Sequence, residues 1–137
     1  MSVEITRRSY SMPDLPEMIE LINWFVDTKI HKDAHVILTQ NKKFKDIDGR
    51  VYCYAWDEYE IEIDAKLTGE AALTTVAHEL VHVGQYASGR LRDVPSGARF
   101  EGKLYRDSLP YEALAYETEA HEQESLVLKE FKNRKKD

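Results

Sequence analysis

Apolar residues recur at three- and four-residue steps between Pro13 and about Ile30, the spacing that places them on one face of a helix. Ser11 or Asp14 can cap the start of this segment, and Pro13 and Pro16 are tolerated in a first turn but not in a helix interior. We therefore predict a first helix here. Its apolar face carries Leu15, Met18, Ile22, Phe25 and Val26.

Alternation of apolar and polar residues is most regular between Tyr59 and Ala65, and it predicts a strand with one packed face and one wet face. The short β-branched run His35–Thr39 and the aromatic-rich run Val51–Trp56 predict two more strands. The charged segment Asn41–Arg50 between them ends in Asp48-Gly49, a turn signal. We expect Val51–Trp56 and Tyr59–Ala65 to pair as a hairpin.

The second predicted helix runs from about Gly69 to Ala87, with Thr68 as its cap and Gly89 as its C-terminal stop. Arg90 to Asp107 shows no strong period and predicts a long connection, which in a compact domain is usually functional or disordered.

Ser108 and Pro110 then open a third predicted helix that runs to about Phe131. The elements together predict an α+β fold. In it, the N-terminal helix and the second helix pack on one face of a small mixed sheet, and the third helix lies across a groove.

The 137 residues, 42% of them hydrophobic, suffice for one domain spanning residues 1–137. A net charge of −6 argues against a general nucleic-acid binder, which would present a basic face. Cys53 is the single cysteine, so no internal disulfide can form. Neither a signal peptide nor a membrane-spanning run is visible, and we expect a cytoplasmic protein, with a monomer favoured.

The second helix carries His78-Glu79-Leu80-Val81-His82. Residues four apart lie on one face of a helix, so His78 and His82 can offer imidazole nitrogens to the same ion, with Glu79 beside the first ligand. This H-E-x-x-H arrangement is typical of zinc hydrolases, in which zinc lowers the pKa of a water to about 7 and the glutamate takes its proton. The sequence therefore predicts one Zn²⁺ per chain with Glu79 as general base.

A catalytic zinc ion normally has three protein ligands. One route to a third ligand, the metzincin pattern, fails because Gln85 and Ser88 stand where that pattern needs Gly and His. The third helix offers several other donors. They are Glu112, Glu117, Glu119, His121, Glu122 and Glu124.

The run from His78 to Tyr86, followed by Leu109-Pro110-Tyr111-Glu112-Ala113-Leu114-Ala115-Tyr116, resembles the small gluzincin-type metallopeptidases, which include compact phage and bacterial proteins. The resemblance covers about residues 50 to 125. It implies a zincin fold in which the third helix supplies the last ligand, Glu112, and in which the strand Tyr59–Ala65 lies beside the cleft. Glu117 and Glu119 are alternative registers, since Glu117-x-x-Ala120 also spells the E-x-x-A of that family.

The chain departs from the family pattern at Tyr116, because many gluzincins have at this position an Asp that orients a zinc-binding histidine. A peptidase further needs a donor for the oxyanion. Tyr105, Tyr111 and Tyr116 lie near the expected ligand in sequence, and we select Tyr116.

These features predict a zinc metalloendopeptidase that acts on a peptide or protein substrate. One alternative is a non-catalytic zincin-shaped binding, regulatory or virion protein that retains zinc, since fold does not fix function. Another is a hydrolase of a cell-wall amide. If this chain is encoded by a phage, we expect it in the host cytoplasm or in the virion.

Overall fold

The computed structural model describes residues 2–6, 14–30 and 34–134 of the chain. Its larger sheet contains β1 (Ser2–Thr6), β2 (His35–Lys42), β3 (Gly49–Ala55) and β4 (Glu58–Asp64), in the order β1-β2-β4-β3. β1 pairs with β2 and β2 with β4 in parallel, whereas β3 and β4 pair antiparallel. The mixed sheet and the expected hairpin are therefore confirmed.

Helix α1 (Leu15–Lys29) follows the predicted apolar stripe, and Pro16 lies in its first turn. The predicted start at Pro13 and the predicted cap Ser11 lie outside the described residues. Asp14 occupies the N-cap position, but its carboxylate instead accepts a hydrogen bond from the backbone N–H of Gly69, at 2.7 Å. One acidic side chain thus satisfies the start of the next helix and ties the two helix beginnings together.

Helix α2 (Gly69–Ala87) has the predicted bounds and is the central helix of the fold. Thr68 stands at its N-cap without a side-chain capping bond, because Asp14 fills that role. The predicted C-terminal stop, Gly89, has φ +80, a left-handed conformation that glycine adopts without strain.

The main core lies between the sheet and the three long helices. The register aligns Val36 with Tyr59 and Leu38 with Ile61, so the inward faces of β2 and β4 form one apolar surface. Tyr59, Ile61 and Ile63 are buried as predicted, whereas Ala65 follows the end of β4 and is half-buried. The expectation of a wet opposite face is wrong in part, because Glu62 and Asp64 on that face are buried as well.

A second, three-stranded sheet corrects the prediction of a long connection over Arg90–Asp107. It comprises β5 (Leu91–Val94), β6 (Gly97–Phe100) and β7 (Lys103–Arg106), paired antiparallel in that order. Strands of four residues place only two side chains each on the inner face, too few to show a period. The turn after β6 is two residues long, and both Glu101 (φ 52) and Gly102 (φ 84) have the positive φ of a tight hairpin.

Helix α3 (Ala115–Asn133) begins later than the predicted start at Ser108 and Pro110. A short 3-10 helix, Tyr111–Ala113, precedes it, and Leu114 has extended backbone between the two. Because α3 starts five residues after Pro110, Glu112 lies in the 3-10 helix and Glu117 lies in the first turn of α3. Within the described residues, the helices all lack the combination of length and apolar character that crossing a bilayer requires.

Candidate metal centre and active site

His78 and His82 project from the same face of α2, one turn apart, with ring centroids 5.0 Å from each other. The Nε2 atoms of both rings lie 3.0 Å from one oxygen, Oε1 of Glu117. Both histidines are more than nine-tenths buried. Two imidazole nitrogens and one carboxylate oxygen thus converge on a single point, as the helical spacing of the motif predicted.

The carboxylate at this point belongs to Glu117, not to the preferred ligand Glu112. Glu112 lies in the 3-10 helix, is exposed, and falls outside the potential metal-holding groups formed by the described residues. Because α3 begins at Ala115, its first-turn carboxylate is Glu117. The buried Ala120, one turn later, lets α3 pack closely. This is the alternative register that Glu117-x-x-Ala120 offered.

The second ring nitrogen of each histidine lies within hydrogen-bond distance of an acceptor oxygen. Nδ1 of His78 lies 2.8 Å from Glu124 Oε1, and Nδ1 of His82 lies 2.8 Å from Gln85 Oε1. Metal-binding histidines usually donate this N–H to a carboxylate or carbonyl, which fixes the ring and leaves Nε2 for the ion. The orienting carboxylate that Tyr116 cannot supply is therefore present at Glu124. Its sequence signal was the spacing of seven residues from Glu117, two turns along one helix face.

Electrostatics favours a tightly paired cluster of these groups. Burial opposes a charge on His78, but its hydrogen bonds to Glu117 and Glu124 outweigh that effect and raise its pKa to about 9. Burial also acts against ionisation of Glu117, yet hydrogen bonds from both histidines hold the pKa of that carboxyl far below its usual range. The cluster thus holds positive charge opposite an ionised carboxylate, and a cation bound among these atoms would take over that role.

Glu79, the predicted general base, is 5% exposed and borders the same groove as the histidines. Burial is the main cause that raises the pKa of Glu79 to about 7. Gly49 at the start of β3 makes room for this arrangement: a Cβ there would lie 2.8 Å from Thr75 Cγ2, 2.9 Å from the carbonyl oxygen of Glu62 and 3.5 Å from Glu79 Oε2. Only a glycine lets the strand approach the helix this closely.

Tyr111 lies nearer to the ligand atoms than the selected Tyr116. Its hydroxyl donates to Glu117 Oε1 at 2.8 Å and lies 2.8 Å from Nε2 of His121. Tyr116 lines the groove too, but its ring packs edge-to-face against aromatic neighbours, at 6.1 Å from His82, 5.9 Å from Phe100 and 5.8 Å from Tyr105. The geometry therefore makes Tyr111 the better-placed donor and gives Tyr116 a packing role.

A groove of roughly 980 Å³ runs past the ligand atoms, walled by α2, by α3 and by β3 with the loop before it. The strand beside the groove is thus β3, which lies at one of the two edges of the larger sheet formed by the described residues. The expectation that Tyr59–Ala65 would lie there is wrong, because β4 is paired on both sides and its residues do not line the groove.

The groove is acidic outside the ligand set. Arg50 is the one guanidinium that the described residues contribute to the groove, and Glu62 already holds it at 2.7 Å. The additional carboxylates of its lining are those of Asp46, Asp48, Glu70 and Glu124.

The donor set fits zinc. Two imidazole nitrogens, which would be neutral once an ion replaced their protons, and one carboxylate oxygen match the two-histidine, one-glutamate ligand set of catalytic zinc sites. The second nitrogen of each ring is engaged by Glu124 or Gln85, as is usual for histidines that bind zinc. Comparisons with protein-family models, with curated proteins and with solved structures found no match to this chain.

Proposed function

We propose that this chain is a zinc-dependent endopeptidase of zincin-like architecture, with His78, His82 and Glu117 as the metal ligands. The observation that carries the proposal is the convergence of these three ligand atoms at 3.0 Å beside the buried carboxylate of Glu79, at the wall of an open groove. A purely structural metal site is normally closed by a fourth protein ligand and needs neither a neighbouring base nor a groove.

The metal would supply Lewis-acid chemistry, polarising the scissile carbonyl and making water acidic enough to attack near neutral pH. Glu79 is the base that takes the proton of the attacking water and then delivers it to the leaving amine nitrogen. Glu79 suits this role because its carboxylate is buried at the groove wall beside the ligand atoms.

The groove suits an extended polypeptide. β3 pairs with β4 on one side only, so within the described residues its other edge is open to a substrate strand. Backbone hydrogen bonds along such an edge hold a peptide whatever its side chains are. The acidic lining favours substrates with cationic side chains around the scissile bond.

Tyr111 is the group that we assign to the oxyanion. Its hydroxyl already donates to Glu117 Oε1, within reach of the point where the ligand atoms meet. A preorganised donor at this place stabilises the charge that develops on the carbonyl oxygen.

Glu79→Gln tests the proposal, because the amide cannot accept the proton of water. We expect the variant to bind zinc as the wild type does and to lose cleavage of a peptide library by roughly 10²- to 10⁴-fold. Glu122→Gln, an exposed glutamate on α3, is the matched control and should cleave normally. Zinc-loaded wild type that leaves the whole library intact would refute the peptidase and favour a zinc-retaining binding protein.

A further inference from the structure

Gln85 is 1% exposed, and the orientation of its amide is fixed by its surroundings. Its Nε2 donates to the backbone oxygen of Tyr116 at 3.1 Å and to Oε1 of Glu119 at 2.9 Å. An amide nitrogen has two N–H donors, and these two acceptors use both. The amide oxygen must therefore be the atom that faces His82, at 2.8 Å from Nδ1.

This orientation selects one form of the His82 ring. A carbonyl oxygen can only accept, so Nδ1 of His82 must carry the hydrogen. In the neutral ring, Nε2 of His82 then keeps its lone pair. This is the atom that lies near Oε1 of Glu117, as does Nε2 of His78. A reversed Gln85 amide would present N–H groups to Nδ1 and favour the tautomer that cannot bind a metal through Nε2.

Arg90, just before β5, holds the far end of this chain of hydrogen bonds. Its Nη1 and Nη2 donate to the two carboxylate oxygens of Glu119 at 3.0 and 2.6 Å, and Nη2 also reaches Glu101 at 3.2 Å. A guanidinium keeps its charge at every ordinary pH, and its planar fork fixes a carboxylate in two directions at once. Glu119 is thereby held where its Oε1 accepts from Gln85.

We propose that Arg90 is a positioning residue for the metal site: through Glu119 and Gln85 it fixes the imidazole of His82 in the metal-binding tautomer. The link to the metal rests on the proposed function. The chain of hydrogen bonds itself does not, and it can be tested in metal-free protein.

The direction in which zinc affinity changes when Arg90 is replaced distinguishes a positioning role from a purely electrostatic one. Arg90 is a cation, so Coulomb's law alone predicts that removing its charge would strengthen binding of Zn²⁺ nearby. Loss of the orienting chain predicts the opposite, because outer partners of metal ligands typically contribute about ten- to a hundredfold to metal affinity.

The experiment compares Arg90→Gln and Arg90→Lys with Arg99→Gln, which removes an exposed arginine from β6 of the small sheet that follows Arg90. In metal-free ¹⁵N-labelled protein we would follow solvent exchange of the Gln85 side-chain amide. In zinc-loaded protein we would measure zinc affinity by competition with a chelator. For Arg90→Gln we expect amide exchange to speed up roughly tenfold, as loss of a charge-assisted anchor implies. We expect its zinc affinity to fall about tenfold or more.

Arg90→Lys keeps the charge but not the planar guanidinium, so its amide exchange rate and its zinc affinity should lie between those of the wild type and Arg90→Gln. If Arg90→Gln does not fold, the comparison of Arg90→Lys with the wild type is the test. Arg99→Gln should match the wild type. Unchanged or tighter zinc binding in the Arg90 variants, or an equal loss in Arg99→Gln, would overturn the proposal. If the wild type itself binds no zinc, the proposed function fails, while the amide exchange still shows whether Arg90 orders Gln85.

Discussion

Replacing Glu117 with alanine removes the one carboxylate among the described residues that lies within hydrogen-bond distance of both His78 and His82. Its Oε1 lies 3.0 Å from the Nε2 atoms of His78 and His82, whereas Glu112, five residues earlier, is exposed and outside the cluster. Glu117→Ala and Glu112→Ala are therefore a matched pair. They delete the same chemical group from neighbouring parts of the chain, and only one of them should affect zinc.

The size of the loss follows from the ligand count. Structural zinc sites with four protein ligands bind with about 10–16 kcal/mol, or about 2.5–4 kcal/mol per ligand if the ligands share equally. Removal of Glu117 should therefore weaken zinc binding by roughly two to three orders of magnitude. Competition with chelators of graded affinity spans that range, and urea unfolding of the metal-free variants checks that both remain folded.

Two results would refute the assignment of Glu117 as the third zinc ligand. If Glu112→Ala loses zinc and Glu117→Ala keeps it, the register of α3 is wrong and the ligand implied by the family resemblance is restored. If neither variant loses zinc, the third donor lies elsewhere.

Three further perturbations test separate parts of the structure. Tyr111→Phe should lower kcat roughly 10²-fold at nearly unchanged KM, the typical effect of losing an oxyanion donor, and Tyr116→Phe should not; the reverse ranking would return the role to Tyr116. Gly49→Ala should cost about 1–3 kcal/mol of stability in urea unfolding because its Cβ has no room, and an unchanged midpoint would contradict the close approach of strand and helix. Burial opposes ionisation of Glu62, but the hydrogen bond from Arg50 outweighs burial and lowers the pKa of Glu62 in the folded protein. The ionised Glu62 therefore stabilises the fold fully above its unfolded pKa of about 4.3, and this stabilisation is lost as the pH falls through the lower folded pKa. The gap in urea midpoint between wild type and Glu62→Gln should therefore shrink on acidification, and a gap independent of pH would exclude this linkage.

Long elements could be predicted from the sequence because their periods repeat often enough to be seen. Helix α2 has the predicted bounds, and β3 and β4 pair as the predicted hairpin. The small sheet could not be predicted in the same way, since its four-residue strands carry little periodicity. The available signal in the sequence was Gly102, because glycine readily adopts the positive φ that a tight hairpin turn requires.

Local spacing accounts for what could be predicted of the candidate site. A spacing of four residues on one helix brings His78 and His82 together, and this does not depend on the rest of the chain. The carboxylate from α3 depends on where that helix begins and how it crosses α2, and Pro110 gave the wrong start. Gln85 and Glu124 act through tertiary contacts with the rings of His82 and His78. The spacing of Glu124 from Glu117 places the two on one face of α3, but it does not show which ring Glu124 contacts.

Zinc content of the purified protein tests the central claim most directly. After reconstitution and removal of excess metal, elemental analysis should give about one zinc per wild-type chain, and the double variant His78→Ala, His82→Ala should hold none. A wild-type chain that takes up no zinc, or a double variant that binds as much as the wild type, would contradict the metal centre on which the proposed function depends.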